Sequence, residues 1–393
     1  MKRSFRNVLC LILSLIFTTQ LFGLSAKAEG EIKDDKGIVV DAKSALLMEP
    51  SSGKIIYEKN SHERFAPASV TKIMTMLLAM EAIDSGKIKL QDKITVSENS
   101  KKMGGSSMIL DTGEIRTVEE ILKGIAIASG NDAAVAMAEY LGGSESAFVN
   151  MMNQKAKSLN MNDTNFKNCT GLSAQGHYSS AYDISIMSRE LLKHPKILKY
   201  SSTYMETISE GRKAPIGLVN HNKLVRFFNG CDGLKTGFTN EAKYCISATA
   251  MQSNVRMLAI VMGSPTYKIR NNDASMLMNY GFSKFETKKI VIKNQELEKI
   301  ILNKKGNKFL IAKAQQDFIV TLERGKKNKI SKNLVINKGL KEYKKGVAIG
   351  FCQIYVNNKL CGKISIYSDR DIKKSRVWDN FKNNFIDLFD KAI

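Results

Sequence analysis

Residues 67–72 read Pro-Ala-Ser-Val-Thr-Lys and head an apolar run that extends from Ile73 to Ile83. If that run is helical, Ser69 and Lys72 lie one turn apart on the same face. The run leaves almost no polar face, which predicts a central buried helix. Pro67 and Ser69 are both typical of a helix start, Pro67 by its fixed φ and Ser69 as a capping residue. A serine beside a lysine at the head of a buried helix is a candidate nucleophile with a candidate base.

The same Ser-x-x-Lys spacing occurs a second time, at Ser51 and Lys54. These residues stand between two alternating runs, Ala45 to Met48 and Ile55 to Tyr57, which predict a β-hairpin with Ser51-Ser52-Gly53-Lys54 at its turn. A chain of this length is expected to contain such a motif by chance, so the spacing alone does not identify an active site.

The amino-terminal residues 1–28 have the pattern of a secretory signal. Three basic residues precede the apolar run Val8 to Leu24, and Ala26-Lys27-Ala28 is a small-x-small cleavage site. We expect a mature protein that works outside the cytoplasm. An uncleaved membrane anchor is the alternative, because the run approaches the length of a span.

The net charge of +22 is concentrated in the last part of the chain. Residues 283–393 hold 26 Lys and Arg against 11 Asp and Glu, a net charge of +15. Such a balance is typical of nucleic-acid binding, but export argues against that partner. Anionic lipid headgroups or anionic wall polymer are the expected counter-charge, and a solvated lysine-rich surface is the alternative.

Cysteine and histidine usage predicts neither a disulfide framework nor a metal centre. The chain without residues 1–28 keeps five scattered cysteines, an odd number, and there are four histidines in all. No Cys/His cluster has ligand spacing, so no metal or cofactor is predicted.

The coarse secondary structure predicts an α+β catalytic domain over residues 36–282. A hairpin at 42–60 leads into the Ser69 helix, and Thr117 with Glu120 forms a capping-box pattern. Further helices are predicted at 146–159, 180–193 and 271–280, the last ending at Gly281, and strands at 230–238, 244–251 and 256–262. Short alternating runs then predict a small all-β domain over 283–372.

The last segment, 373–393, predicts an amphipathic helix. Val377, Trp378, Phe381 and Phe385 share one side of a helical wheel, and polar residues occupy the other. The segment is too short and too polar to span a bilayer, so we expect a helix in the membrane interface. A helix docked on its own protein is the alternative.

Two short motifs give the Ser69 site its context. Lys235-Thr236-Gly237 falls on a predicted strand and is the single Lys-Thr-Gly or Lys-Ser-Gly of the chain. Ser129-Gly130-Asn131 is one of four Ser-x-Asn matches, but it breaks a helical pattern instead of lying on one helix face.

Ser-x-x-Lys, Ser-x-Asn and Lys-Thr-Gly in that order resemble the signature of penicillin-recognising serine enzymes. The chain resembles the serine-type D-alanyl-D-alanine carboxypeptidases, low-molecular-mass penicillin-binding proteins, most closely the Gram-positive sporulation-associated kind. Further matching stretches are 67–75, Asn168 with Gly171-Leu172, 177–183 and 232–239. The resemblance implies a β-lactamase/transpeptidase-like fold, an antiparallel sheet with a helical cluster. It also implies that the protein trims peptidoglycan stem peptides and binds β-lactams.

In such a reaction Ser69 attacks the carbonyl between two D-alanines and Lys72 takes its proton. Lys72 must be neutral for this, and burial together with a second cation, Lys235, would lower its pKa. By the resemblance, Ser129 relays a proton to the leaving amine and Asn131 holds the substrate backbone.

The resemblance also assigns the carboxylate end of the substrate. Lys235, Thr236 and Arg270 are expected to face the terminal carboxylate, and Gly237 lets the strand approach closely. The backbone N–H groups of Ser69 and Phe238 would form the oxyanion hole. Some relatives have histidine where this chain has Phe238.

Three other functions remain open at this stage. A serine β-lactamase of the same fold would need a Glu-x-x-Leu-Asn stretch, which the chain lacks. A transpeptidase or endopeptidase differs only in acceptor or leaving group. A non-catalytic wall-binding protein would keep the fold without the chemistry.

Overall fold

The computed structural model describes residues 38–208, 214–303, 307–337, 340 and 342–373. The chain divides into two units, Met1–Val39 and Val40–Ile393, and every helix and strand described lies in the second. In this part of the chain no helix is long and apolar enough to cross a membrane.

The predicted terminal segments fall almost wholly outside that range. The signal segment 1–28 and residues 374–393 are not among the described residues. Lys373, the first residue of the predicted amphipathic helix, pairs with Glu342 in a two-stranded ladder. The helix prediction is therefore wrong at its first residue, because a β-bridge holds that backbone extended.

The helices of the described residues are α1 (Lys72–Asp84), α2 (Glu98–Lys101), α3 (Val118–Ala126), α4 (Asn131–Gly142), α5 (Glu145–Ser158), α6 (Ala181–Leu191), α7 (Lys196–Ser201), α8 (Leu224–Phe227) and α9 (Tyr267–Lys284). A 3₁₀ turn, Ala68–Thr71, directly precedes α1.

The strands are β1 (Ser44–Glu49), β2 (Lys54–Lys59), β3 (Lys93–Thr95), β4 (Ile115–Thr117), β5 (Met205–Ile208), β6 (Ile216–Val219), β7 (Cys231–Thr239), β8 (Lys243–Gln252), β9 (Val255–Ser264), β10 (Phe285–Val291), β11 (Glu296–Ile301), β12 (Phe309–Ala314), β13 (Phe318–Glu323), β14 (Ile330–Ile336), β15 (Glu342–Tyr343), β16 (Ala348–Val356), β17 (Lys359–Ser368) and β18 (Ile372–Lys373).

A five-stranded antiparallel sheet has the order β2-β1-β9-β8-β7. The predicted hairpin is confirmed, since β1 and β2 pair around the turn that contains Ser51 and Gly53. The predicted meander of three strands is also confirmed as β7, β8 and β9. β7, which contains the Lys-Thr-Gly motif, is an edge strand, so one side of its backbone has no partner strand in this sheet.

The helical cluster is built around α1. Nine of its residues are buried, which confirms the predicted central helix. The capping box at the start of α3 is confirmed too, because Thr117 Oγ1 accepts from the N–H of Glu120 and the Glu120 carboxylate accepts from the N–H of Thr117. Ser129 and Gly130 fall between α3 and α4, so the predicted break in the helical pattern is real.

The helix that follows the sheet, α9, is longer than predicted at both ends. It begins at Tyr267, four residues before the predicted start, and Thr266 caps it by accepting a hydrogen bond from the N–H of Ile269. The expected stop at Gly281 is wrong, since the helix continues to Lys284. A Cβ at Gly281 would lie 2.6 Å from Met257 Sδ, so close packing on β9, and not helix termination, calls for glycine here.

After α9 the chain turns directly into β strands. A second five-stranded sheet, β11-β12-β17-β16-β14, is accompanied by the pairs β10-β13 and β15-β18. Its buried residues, from Val291 to Ile366, form a hydrophobic cluster distinct from the one around α1. The predicted boundary after Phe282 falls within the last turn of α9.

Candidate active site

The 3₁₀ turn before α1 presents Ser69 to a cleft. Pro67 and not Ser69 occupies the cap position of this turn, and it makes no side-chain cap bond, so the predicted capping role of Ser69 is wrong. Ala68 has a φ of 47°, an unusual left-handed conformation for a residue other than glycine. Such backbone strain persists only where the surroundings impose it, and it is common next to functional groups.

Two glycines make room for this backbone. A Cβ at Gly171 would lie 1.8 Å from the carbonyl oxygen of Ala68. A Cβ at Gly237 would lie 2.9 Å from the backbone nitrogen of Ser69. The glycine of Lys-Thr-Gly is therefore needed for close approach, as the sequence predicted, and Gly171 supports the turn from its other side.

Lys72 lies directly behind the nucleophile candidate. Its Nζ atom is 3.1 Å from Ser69 Oγ, 2.6 Å from Asn131 Oδ1 and 2.7 Å from the carbonyl oxygen of Thr170. The side chain is fully buried. Burial disfavours the ammonium form and lowers the pKa of Lys72 to about 7.

The Ser129-Gly130-Asn131 turn forms the opposite wall. Ser129 has a φ of 60° and lines the cavity. Within the described residues its hydroxyl makes no hydrogen bond, and none joins it to Lys72. The Asn131 amide is engaged on both sides, since Oδ1 accepts from Lys72 and Nδ2 donates to the carbonyl oxygen of Gly104 at 2.6 Å.

Asp132 fixes the loop that covers this wall, a role that the sequence reasoning missed. Its buried carboxylate accepts from Ser107 Oγ at 2.5 Å and from the N–H groups of Met108 and Leu110 at 3.0 and 3.1 Å. Ser106, next to these residues, lines the cavity. Asp132 directly follows Asn131 in the sequence, and that position was the one signal that could have indicated a role at the site. Its hydrogen-bond partners are visible only in the folded structure.

Lys235 and Thr236 lie on β7 and are both buried. Lys235 Nζ donates to the carbonyl oxygen of Thr236 at 2.9 Å. Burial, followed by repulsion from Lys72 and Arg270, places the pKa of Lys235 well below its usual value. For Lys72, burial is the one cause that lowers the pKa, and Lys235 is not among the groups that shift it, so the expected dependence of its neutrality on Lys235 is not found. The repulsion between the two lysines lowers the pKa of Lys235 instead.

Arg270 lies in the first turn of α9 and completes the cationic side of the site. It is buried, lines the cavity with Thr236, and donates from Nη2 to Asn271 Oδ1 at 2.8 Å. Burial lowers its pKa to about 10. An aromatic wall adjoins it, in which the Phe238 and Tyr244 rings lie 4.4 Å apart.

The structure thus gathers the predicted site residues around one cavity of about 500 Å³. Ser69, Ser129, Thr236, Gly237, Phe238 and Arg270 line it, while Lys72, Asn131 and Lys235 lie buried around it. Tyr204, His221, Lys223 and Tyr267, which the sequence did not single out, line it as well. Among the described residues no group of His, Cys, Asp and Glu could hold a metal ion.

Two protein families match the chain. The family described as D-alanyl-D-alanine carboxypeptidase matches residues 31–266, and the Penicillin-binding protein 5, C-terminal domain, matches residues 285–374. The D-alanyl-D-alanine carboxypeptidase DacF of Bacillus subtilis (strain 168) is 43% identical over 377 residues, which cover 95% of this chain and 96% of that protein.

Solved structures of penicillin-binding proteins are similar to this chain over most of its length. Penicillin-binding protein 5 from Haemophilus influenzae superimposes with a TM-score of 0.75 and 30% identity, over 86% of this chain and 100% of its own. A peptidoglycan synthesis regulatory factor (PBP3) from Streptococcus pneumoniae has a TM-score of 0.69 and 25% identity, over 85% and 100%.

Proposed function

The chain belongs to the D-alanyl-D-alanine carboxypeptidase family and is a serine-type DD-carboxypeptidase, and we propose that it cleaves its substrate through an acyl-enzyme on Ser69. The family, fold and reaction predicted from the three motifs are confirmed. The assignment of individual residues is our proposal, and the 3.1 Å contact between Lys72 Nζ and Ser69 Oγ carries it.

Lys72 is the base that activates Ser69. A lysine with an ordinary pKa near 10.4 is neutral less than ~0.1% of the time at pH 7, whereas one with a pKa of about 7 is neutral about half of the time. A neutral amine has two N–H donors and one lone pair. Asn131 Oδ1 and the Thr170 carbonyl oxygen take the two donors, which directs the lone pair at the Ser69 hydroxyl.

The acylation step follows from this arrangement. Ser69 Oγ attacks the carbonyl carbon between the two D-alanines as its proton moves to Lys72 Nζ. The backbone N–H groups of Ser69 and Phe238 stabilise the negative charge that develops on the carbonyl oxygen. Ser129, which lines the cavity, passes its hydroxyl proton to the departing amine of D-alanine and receives in exchange the proton that Lys72 took from Ser69, so Lys72 is neutral again. Water activated by Lys72 then hydrolyses the acyl-enzyme.

The carboxylate of the departing D-alanine binds at the cationic side of the cavity. Lys235, Thr236 and Arg270 supply the charge and the hydroxyl there. We assign Asn131, which is bonded to Lys72, to the neighbouring substrate backbone. An entering anion offsets the repulsion between Lys235, Arg270 and Lys72, because opposite charges favour the ionised form of each partner.

The protein acts outside the cytoplasm on peptidoglycan, as its family does, and penicillins are expected to acylate it. We further propose a role in sporulation, which the resemblance to sporulation-associated enzymes supports. We also propose that residues 1–28 are a cleaved export signal and that residues 374–393, which follow β18, hold the enzyme to the outer face of the membrane. The basic and apolar patterns of these segments support the two assignments.

Two hydrophobic clusters support a catalytic domain over 36–282 and a β domain over 283–372.

The test of the site uses labelled penicillin and release of D-alanine from a peptide that ends in D-Ala-D-Ala. Ser69→Ala is expected to abolish both, because no hydroxyl remains to be acylated. Ser51→Ala, the serine of the second Ser-x-x-Lys, is the matched control and is expected to retain both. Retention of labelling by Ser69→Ala would overturn the assignment, and rapid turnover of penicillin would identify a β-lactamase instead.

A further inference from the structure

His221 lies at the mouth of the catalytic cavity, in the loop between β6 and α8. It lines the cavity together with Thr236 and Arg270, the residues placed at the carboxylate end of the substrate. Its ring is exposed to the cavity, and within the described residues it makes no hydrogen bond. It is therefore a titratable group that faces the substrate site and is not used by the mechanism above.

The backbone on either side of His221 is held firmly. Asn220 Nδ2 donates to the carbonyl oxygen of Ser201 at 3.0 Å, and Asn222 Nδ2 donates to that of Gly233 at 3.0 Å. Asn220 Oδ1 also accepts from the N–H of Asn222 at 2.8 Å. Both asparagines are buried. These bonds tie the backbone at His221 to β7 and to residue 201, so the residue stands beside the cavity on a fixed segment of chain.

The charged groups around His221 are all cationic. Lys72 from α1, Lys235 from β7 and Arg270 from α9 all act on it electrostatically, and Lys223 from its own loop lines the same cavity. The other ionisable lining groups are the tyrosines Tyr204, Tyr244 and Tyr267. Among the described residues that line the cavity there is no Asp or Glu. An anionic ligand is the missing counter-charge.

We propose that His221 is a further binding residue for the terminal carboxylate of the substrate, and that it becomes an imidazolium as the carboxylate enters. This inference rests on the proposed function of the cavity, since it assumes that the carboxylate lies at Thr236 and Arg270. His221 supplies a charge at the outer side of the carboxylate, opposite the buried cations. It takes no part in bond making or breaking.

The pH dependence of substrate affinity follows from the two states of the ring. Partial desolvation of the ring beside the cavity walls, and then repulsion from Lys235, Lys72 and Arg270, holds the pKa of His221 below its ordinary value of 6.5 in the free enzyme. The bound carboxylate reverses that repulsion and raises the pKa of His221. Binding therefore takes up a proton. Affinity increases as pH falls through the pKa of the complex, and stops increasing below the pKa of the free enzyme.

The experiment compares His221→Asn with the wild-type enzyme on a peptide ending in D-Ala-D-Ala, from about pH 5 to about pH 8. Both enzymes contain Lys72, so its titration cancels in the ratio of the two KM values. The pH dependence of that ratio therefore reports on His221. We expect the variant to have about a fivefold higher KM at the acid end, as for an exposed ion pair. The ratio is expected to approach one at pH 8, with kcat unchanged. His62→Asn, a surface histidine bonded to Asp163, is the control.

A peptide with a C-terminal carboxamide, used as a competitive inhibitor, tests the role of the carboxylate. Its inhibition constant is expected to be the same for both enzymes at every pH. A KM ratio that does not vary with pH, or an equal effect on the carboxamide, would overturn the role of His221. Labelling by penicillin separates this failure from that of the proposed function. If wild type and His221→Asn are both labelled stoichiometrically and Ser69→Ala is not, the proposed function stands whatever the KM ratio shows.

Discussion

The two Ser-x-x-Lys motifs of this chain have the same spacing and opposite surroundings. At Ser69 and Lys72 the spacing spans one helical turn, and the two side chains meet at 3.1 Å. At Ser51 and Lys54 it spans a hairpin turn, and no hydrogen bond joins the two side chains in the described part of the chain. Identical sequence spacing thus gives contact on a helix and separation in a turn.

The partners of each lysine explain the difference in chemistry. Lys72 is surrounded by neutral acceptors in a fully buried position, where its pKa falls to about 7. Lys54 is partly buried, and that burial lowers its pKa. Its Nζ donates to the Thr321 carbonyl oxygen at 3.3 Å and lies 4.8 Å from the centre of the Phe285 ring. Ser51, meanwhile, donates to the Glu49 carboxylate. The second motif connects the catalytic domain to the β domain and has no free nucleophile.

The largest effect is expected from removal of the two amines in turn. Lys72→Met is expected to slow acylation by penicillin about 10³-fold, because a positioned base contributes about 10² to 10⁴-fold to such a step. Lys54→Met is the matched control and is expected to stay within about twofold, since that amine makes no contact with a nucleophile. Stopped-flow acylation measures both, with thermal unfolding to check the fold. Equal losses in the two variants would show that the contact at Ser69 is not catalytic.

A smaller effect is expected when the neutral partner of Lys72 becomes charged. In Asn131→Asp a carboxylate replaces the amide oxygen that lies 2.6 Å from Lys72 Nζ. An opposite charge at this distance favours the ammonium and raises a lysine pKa by about one unit or more. Because the base must be neutral, activity rises with pH through the Lys72 pKa, near 7 in the wild type. The variant is expected to lose about fivefold or more of its activity at pH 7 and to recover part of it at higher pH.

The pH profile of kcat/KM for acylation checks this prediction. In Lys54→Met the acid limb is expected to stay where it is in the wild-type enzyme. An Asn131→Asp profile with an unshifted limb would mean that another group controls the rate, whereas a shifted limb identifies Lys72 as the titrating base.

Much of the fold could be predicted because its signals are local. The Thr117 to Glu120 capping box, the hairpin around Ser51 and the helix break at Ser129 each depend on residues within a few positions. The order of the three motifs identified the family and therefore the elements that must meet. The prediction for Gly281 failed because a glycine at the end of an apolar pattern was interpreted as a helix stop, while its function is contact with a distant strand.

The parts of the site that could not be predicted depend on long-range contacts. The Thr170 carbonyl oxygen reaches Lys72 from 98 residues away, and nothing in its local sequence indicates that contact. Asn131 was expected to hold the substrate, and its second bond to Gly104 depends on how a separate loop folds. The dominance of burial in the pKa of Lys72 is likewise a property of the folded core and is not encoded in motif spacing.

The smallest effect is expected at the second motif, where it concerns stability and not rate. The buried Glu49 carboxylate accepts hydrogen bonds from Ser51, from Ser52 and from Thr321 Oγ1 at 2.8 Å. Thr321→Val removes a donor that the β domain contributes to a carboxylate of the catalytic domain. Loss of one partner of a buried polar group costs about 1–3 kcal/mol. We therefore expect a lower free energy of unfolding in urea and an unchanged rate of acylation by penicillin.

Thr287→Val is the matched control for this last comparison. Thr287 also reaches from the β domain to the catalytic domain, where its hydroxyl donates to the Asn254 carbonyl oxygen, but this bond is long, at 3.3 Å, and exposed to water. Water replaces such a bond when it is lost, so the free energy of unfolding of this variant is expected to fall by less than about 0.5 kcal/mol. Equal losses of unfolding free energy in the two variants would mean that the buried hydrogen bonds at Glu49 stabilise the contact between the two domains no more than an exposed bond does. A slower acylation in Thr321→Val would mean that the second motif acts on the first through the sheet that connects them.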